Sequence, residues 1–454
     1  MGSLAGVRGL LAGLVASGLL LAAPAALLAQ SLRDSTSHPD SLRSRDSTAA
    51  AHRPSHPVLS HPVRVCAGGD VTLGTNLDTL WGRTASRSLR SAFGLSDAPD
   101  SLLAPLRPLL SGADVVLLNV EGAIGDGPVK ESKCGRHSKN CYAFRQPAGT
   151  ADALRRVADS AAVVGNVANN HSHDAGAAGL RATISSLTRA GVLVTGADTL
   201  ATPVVTRAGD SIAVLGFHTS SDAPDARDLA AVRRHVARAV ERYGAVIVTM
   251  HLGAEGADAQ RTRDSTELFL GSIDRGNPVA FADSALAGGA TMVIGHGPHV
   301  LRAAEWRDDR LVLYSLGNLL TYGPFRLAEP MNRGAIACAT IDSARSVSAV
   351  ALTSTMQLAP GVLRVDTTER AAQLVDSLSA LDFPRTGVRR AAADSSMQGV
   401  LAAGTVLLAG PPHTVVLSAP APRDSVRVAP DSPGSALPAD SLRKRPSSGA
   451  PRHP

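Results

Sequence analysis

Ala161-Ala162-Val163-Val164-Gly165, followed by Asn169-Asn170-His171-Ser172-His173-Asp174, is the stretch whose reading decides the fold. A short apolar run that ends on amides, imidazoles and a carboxylate reads as a buried strand delivering polar side chains at its carboxyl end. The pattern recurs along the chain. Gly68-Gly69-Asp70 follows the apolar run 63–66, Asn119-Val120-Glu121-Gly122 ends the run 115–118, His251-Leu252-Gly253 ends 245–250, and Gly295-His296-Gly297-Pro298-His299 ends 292–294. Further strands are predicted over 192–195, 212–217, 310–316 and 335–341. Helical spacing is expected over 101–111, 150–159, 177–190, 226–243 and 279–287, and strands alternating with helices define an α/β fold. A last amphipathic helix over 367–381, with apolar positions at Ala371, Ala372, Leu374, Val375 and Leu378, is expected to close the domain.

Open α/β sheets bind ligands in the crevice beyond the carboxyl ends of their strands, so these five strand ends are expected to converge. Asp70, Glu121, Asn170, His251, His296 and His299 then form a mixed oxygen and imidazole set, suited to a divalent transition metal (Mn, Zn or Fe) more than to Ca or Mg. Six donors exceed one tetrahedral ion, and two ions about 3.5–4 Å apart would match a two-metal hydrolytic site. His171 is the candidate general acid, oriented by Asp174. Each motif alone has a plainer reading: Asp70 as a turn residue after two glycines, Glu121 as a turn or cap residue, Asn169-Asn170 as a helix cap. Their joint occurrence favours metal binding. His218 also ends a strand but stands alone and reads as structural.

The ends of the chain differ from this core. Residues 1–29 carry one basic residue, Arg8, then an apolar Leu/Ala-rich run and small residues, the layout of an export signal. The run is also long enough to stay as an N-terminal membrane anchor. Residues 30–61 and 419–454 are rich in Arg, Asp, Ser and Pro without apolar periodicity and read as disordered linker and tail. From Arg423 on, six Lys/Arg face three Asp, a net of +3, which is half of the formal +6 of the chain. With only 3% aromatic residues, this charge distribution argues against a nucleic-acid partner. The location expected is the periplasm or cell envelope.

Four cysteines in an exported chain raise the question of disulfides. Cys134 and Cys141 flank a polar, turn-rich segment and are expected to form a loop staple. Cys66 and Cys338 lie in apolar, strand-like runs and read as buried free thiols.

Taken in order, Gly69-Asp70, Asn119-x-Glu121-Gly122, Asn169-Asn170-His171-x-x-Asp174-x-Gly176, His251-x-Gly253-x-Glu255, Gly295-His296-x-Pro298-His299 and Tyr314-Ser315-Leu316-Gly317-Asn318 resemble the CapA-type capsule synthesis proteins. Those proteins are associated with making or exporting poly-γ-glutamate, and their domain is similar to the calcineurin-like metallophosphatases. The resemblance implies a four-layer α/β/β/α sandwich over 62–385, with 386–418 as a C-terminal extension. It places Asp70, Glu121, Asn170, His251, His296 and His299 at metal-ligand positions and His171 at the acid position. It implies an anionic polymer substrate and a membrane-bound capsule synthesis complex as partners, with Glu255, Asn318 and Arg145 as substrate-binding candidates. Arg145 follows the Cys134–Cys141 segment, and its guanidinium suits a bidentate grip on a carboxylate. The chain departs from the phosphatase pattern at Thr72 in place of a histidine, at Glu121 in place of an aspartate, and in final histidines three residues apart. These departures favour an amide-bond or assembly role over phosphoesterase activity.

Overall fold

The first strand, Val63–Leu73, sets the frame, because its two halves have different partners. Val63 to Gly68 run antiparallel to Arg333–Ile341, whereas Asp70 to Leu73 run parallel to Asn318–Tyr322. Gly68 and Gly69 mark the change. A Cβ on Gly69 would lie 1.9 Å from the Gly317 carbonyl oxygen, so only glycine lets the two backbones approach. The computed structural model describes residues 57–74, 79–126, 142–220, 224–391 and 401–410. The expected export segment, the linker up to residue 56, the Cys134–Cys141 staple and the tail from residue 411 lie outside the described residues.

Two sheets organise the chain. The ten-stranded sheet has Arg333–Ile341, Val63–Leu73, Val115–Val120, Ala162–Asn166 and Leu193–Thr195 side by side, the last four parallel. The six-stranded sheet has Arg310–Leu313, Met292–His296, Val246–His251 and Ser211–His218 in parallel order, with antiparallel strands at its edges. Alternate side chains of a strand point to opposite faces, and the core divides accordingly. Val63, Val65, Val115, Leu117 and Val164 meet Ile212, Val214, Ile247, Met292 and Ile294 between the sheets. Cys66, Val116, Leu118 and Val163 face the other way, onto Leu102, Leu106, Leu154 and Leu187 of the outer helical layer. On the far side Leu215, Val246, Val248 and Val293 pack against Val232, Val236, Phe281 and Ala285 of the helices Leu229–Val240 and Pro278–Ala287. The expected four-layer α/β/β/α sandwich is therefore the observed architecture.

Several elements differ from the expectation. The helix over 101–111 breaks into Pro99–Leu103 and two 3-10 turns, because Pro105 and Pro108 lack the N–H that a continuous helix needs. The last helix, Arg370–Asp382, inserts Ala371, Ala372 and Val375 between the sheets, but the fold continues beyond it. Thr405–Ala409 pairs with Val347–Leu358 and Arg389–Arg390 with Thr405–Ala409, so the segment after 385 supplies an edge of the large sheet.

Cys66 and Cys338 are a correction. They face each other across the antiparallel pair Val63–Leu73 and Arg333–Ile341 and form a disulfide, S–S 2.12 Å, with Cα atoms 4.0 Å apart. They are not free thiols: directly opposed residues on neighbouring strands are within bonding reach. Among the described residues no helix is long and apolar enough to cross a membrane.

Candidate metal centre

All the strand ends quoted above meet in one crevice. Asp70 comes from the first strand, Glu121 from the residue after Val115–Val120, His251 from the end of Val246–His251 and His296 from the end of Met292–His296. All four are almost fully buried. In register, His218, His251 and His296 stand opposite one another across three parallel strands, forming one row along the carboxyl edge of the small sheet.

Glu121 is the meeting point. Its Oε1 lies 3.8 Å from His251 Nε2, 3.7 Å from His299 Nε2 and 4.0 Å from His171 Nε2. Asp70 Oδ2 lies 2.9 Å from His299 Nδ1, and its Oδ1 lies 3.6 Å from His296 Nδ1. Asp70, Glu121 and His299 can each present one donor atom within 4.8 Å of the others. Both Glu121 oxygens, His251 Nε2 and both ring nitrogens of His296 are buried without a hydrogen-bond partner. Buried polar atoms are normally satisfied, so this many orphaned donors and acceptors around one point fits a cation.

Backbone geometry explains how His299 reaches the site. It adopts a left-handed φ of 60°, after Gly297 at 108°, which folds the last histidine back onto Asp70. Asn318 holds this turn: its Nδ2 donates to the carbonyls of His299 (3.1 Å) and Met331 (3.0 Å), and its Oδ1 lies 3.2 Å from His299 Nδ1. Asn318 is thereby placed beside a candidate ligand, at the wall of the site.

Behind the carboxylates runs a chain of amides. Asn166 Nδ2 and Asn169 Nδ2 donate to Asn119 Oδ1 (3.0 and 3.2 Å), and Asn119 Nδ2 donates to Asp70 Oδ1 (2.8 Å). Asn169 Oδ1 in turn accepts from the backbone N–H of His171 at 3.1 Å. His171 Nδ1 sits 2.8 Å from Asp174 Oδ2, which also accepts from the Phe144 backbone N–H at 2.6 Å. The Phe144 ring packs on the His171 imidazole, centroids 4.1 Å apart. Asn170 is held by a different partner, its Nδ2 donating to Glu255 Oε1 at 3.4 Å.

Arg145 and Phe144, adjacent in sequence, have different neighbours. While Phe144 lies on His171, Arg145 NH1 is 3.7 Å from the position a Cβ would take on Gly125. Arg275, not singled out by any motif, enters the crevice instead. It is buried, its NH2 lies 2.8 Å from Glu255 Oε1 and its Nε donates to the Gly253 carbonyl at 3.2 Å. No spacing rule points to it, because it follows a small hairpin, Leu268–Phe269 with Ile273–Asp274, in a turn before a helix.

The charges are unequal. Burial would raise the Asp70 carboxyl, but its contacts with His296 and His299 prevail and hold it well below the usual range. Burial pushes Glu121 up to about 8. Burial also opposes charge on His299, yet Glu121 and Asp70 outweigh it and push that imidazole up to about 10. Burial, then the Arg275 charge, hold His251 well below its ordinary value and bring His218 down to about 3, so both are neutral.

A four-layer α/β/β/α sandwich with buried carboxylates and imidazoles converging at its strand ends defines a candidate metal-dependent protein. Residues 64–322, more than half of the chain, match the family described as bacterial capsule synthesis protein PGA_cap, and the chain belongs to that family. No curated protein matches it. Among solved structures, NAD nucleotidase (NadN) of Haemophilus influenzae is similar at 14% identity, covering 67% of this chain and 55% of its own, with a TM-score of 0.28. The chain thus spans little more than half of that protein.

Proposed function

We propose that this capsule synthesis protein is exported and acts on an anionic, poly-γ-glutamate-type polymer, hydrolysing or transferring its γ-amide linkage at a divalent metal centre of one or two ions. The observation that carries this reading is the cluster of buried, unpartnered ligating atoms around Glu121 in a chain of the capsule family. Asp70, Glu121, His251, His296 and His299 would hold the metal, with Asn170 as the amide ligand. When bound it would supply a Lewis acid and an ionised water near neutral pH. His171 then acts as proton donor to the leaving nitrogen from Nε2, while Asp174 fixes the ring through Nδ1 and Phe144 packs on its face. Arg145 is the candidate for gripping a polymer carboxylate outside the centre. The Cys66–Cys338 disulfide supports an oxidising compartment, in keeping with an export segment and an envelope-bound assembly as partner.

The test is turnover by the full-length chain with added manganese. Cleavage of a γ-linked glutamate oligomer, abolished by chelation and reduced about 100-fold or more in His171→Ala, is expected. Turnover of a chromogenic phosphodiester alone would identify a phosphoesterase instead. Capsule formation restored in a deletion strain by an Asp70→Asn variant that holds no metal would identify a non-catalytic assembly role.

A further inference from the structure

The loop that carries Glu255 is held by a dense set of hydrogen bonds. Buried Arg302 pairs through both terminal nitrogens with Glu267 (2.8 and 2.7 Å), donates from Nε to the Ala259 carbonyl (2.7 Å) and from NH2 to that of Ala254 (3.3 Å). Glu267 Oε2 also accepts from the Ala254 N–H at 2.7 Å. The backbone of Gly253 donates to Arg275, and that of Arg275 to Glu267, at 2.7 and 2.9 Å. Gly256 N–H donates to the Pro298 carbonyl at 3.1 Å, tying the same loop to the turn between His296 and His299. Glu255 and Arg275 therefore sit on one clasped unit, paired at 2.8 Å with side chains 12% and 5% exposed.

This unit faces Asn170. An asparagine amide has two unlike ends, and a metal takes the oxygen, never the NH2. A carboxylate beside the amide selects which end faces it. Glu255 Oε1 accepts from Asn170 Nδ2, which turns Asn170 Oδ1 away from the carboxylate. Arg275 holds the Glu255 charge in place at the edge of the crevice. From this geometry we infer that Glu255 and Arg275 are positioning residues for the metal centre, which set Asn170 with its oxygen toward the ion. Glu255 is thereby assigned to ligand orientation and not to substrate. The inference rests on the metal centre proposed above.

The experiment is manganese titration of the full-length chain against a chromophoric chelator, with metal-free thermal melts as the control for folding. Loss of an outer partner of a metal ligand costs about 10–100-fold in affinity, and that loss is expected for Glu255→Ala. Glu255→Gln keeps an acceptor oxygen and is expected to stay within about threefold of wild type. In an Asn170→Ala background, Glu255→Ala is expected to add no further loss, because the residue it acts through is gone. Wild-type affinity in Glu255→Ala, an equal loss in Glu255→Gln, or a full additional loss in the Asn170→Ala background would each overturn the inference and leave the metal centre standing. A wild-type chain that takes up no manganese would overturn both. If Glu255→Ala does not fold, the comparison of Glu255→Gln with Asn170→Ala decides: a Gln variant as weak as the Asn170 variant refutes the assignment.

Discussion

At the scale of residues, the centre is a place where burial and charge work against each other. Asp70 is ionised, while Glu121, raised to about 8, and His299, raised to about 10, both carry a proton at pH 7 in the metal-free chain. A cation bound by these groups must displace both protons, so its affinity rises with pH, by up to roughly 100-fold per unit below pH 8. Glu121 sets the sign for stability. Its folded value lies above the ordinary 4.5, so its contribution is full below 4.5 and lost as pH rises through about 8. Metal binding removes that loss, and the thermal shift produced by manganese is expected to be larger at pH 8 than at pH 6. Melts at the two values check this, and equal shifts would count against Glu121 as a ligand. The candidate ligands were legible in the sequence because each closely follows an apolar run. Arg275 and Phe144 were not, since what places them is a hairpin and the backbone hydrogen bonds of Phe144 to Asp174 and Ala123, features without a spacing signature. Arg145 shows the same limit in reverse: adjacent to Phe144 in sequence, it lies by Gly125 while Phe144 lies on His171.

At the scale of elements, the change of partner at Gly68-Gly69-Asp70 delivers the first carboxylate. Asp70 N–H donates to the Gly317 carbonyl at 3.0 Å, and Asp70 stands opposite Asn318 in register, so the strand that carries one candidate ligand is seated on the turn that holds His299. Gly69→Ala would drive a methyl group into that carbonyl and is expected to lower stability by about 3 kcal/mol or more together with metal uptake. Gly82, in the helix Thr79–Ser88, has open space around its Cβ position. Gly82→Ala is expected to add about 0.5–1 kcal/mol and leave metal uptake unchanged. Denaturant midpoints for the two variants make the comparison. Most of the parallel strands were readable because they are continuous apolar runs. Val347–Leu358 escaped notice because Ser, Thr and Ala dilute its alternation, and Asn318–Tyr322 because it lies next to a motif read for chemistry.

At the scale of the whole molecule, the Cys66–Cys338 bond joins residues 272 apart in sequence and ties the first strand to Arg333–Ile341 across the large sheet. Its pairing could not be read from spacing, since only the non-local neighbour relation of the two strands brings the sulfurs together. Replacing both cysteines by alanine is expected to cost about 2–5 kcal/mol, measured as a lower denaturant midpoint under non-reducing conditions. An unchanged midpoint would mean that the bond adds nothing to the sheet it crosses. The two sheets contribute unequally to the centre, the large one supplying the ligand carboxylates, the amides and His171 and the small one the ligand imidazoles, so the site exists only while both are packed against each other. Metal content is therefore the direct readout of the central claim. Elemental analysis of the full-length chain after manganese loading and desalting should find at least one ion per chain in the wild type and a clear loss in His296→Ala. Less than one ion per chain, unchanged by His296→Ala, would contradict the account.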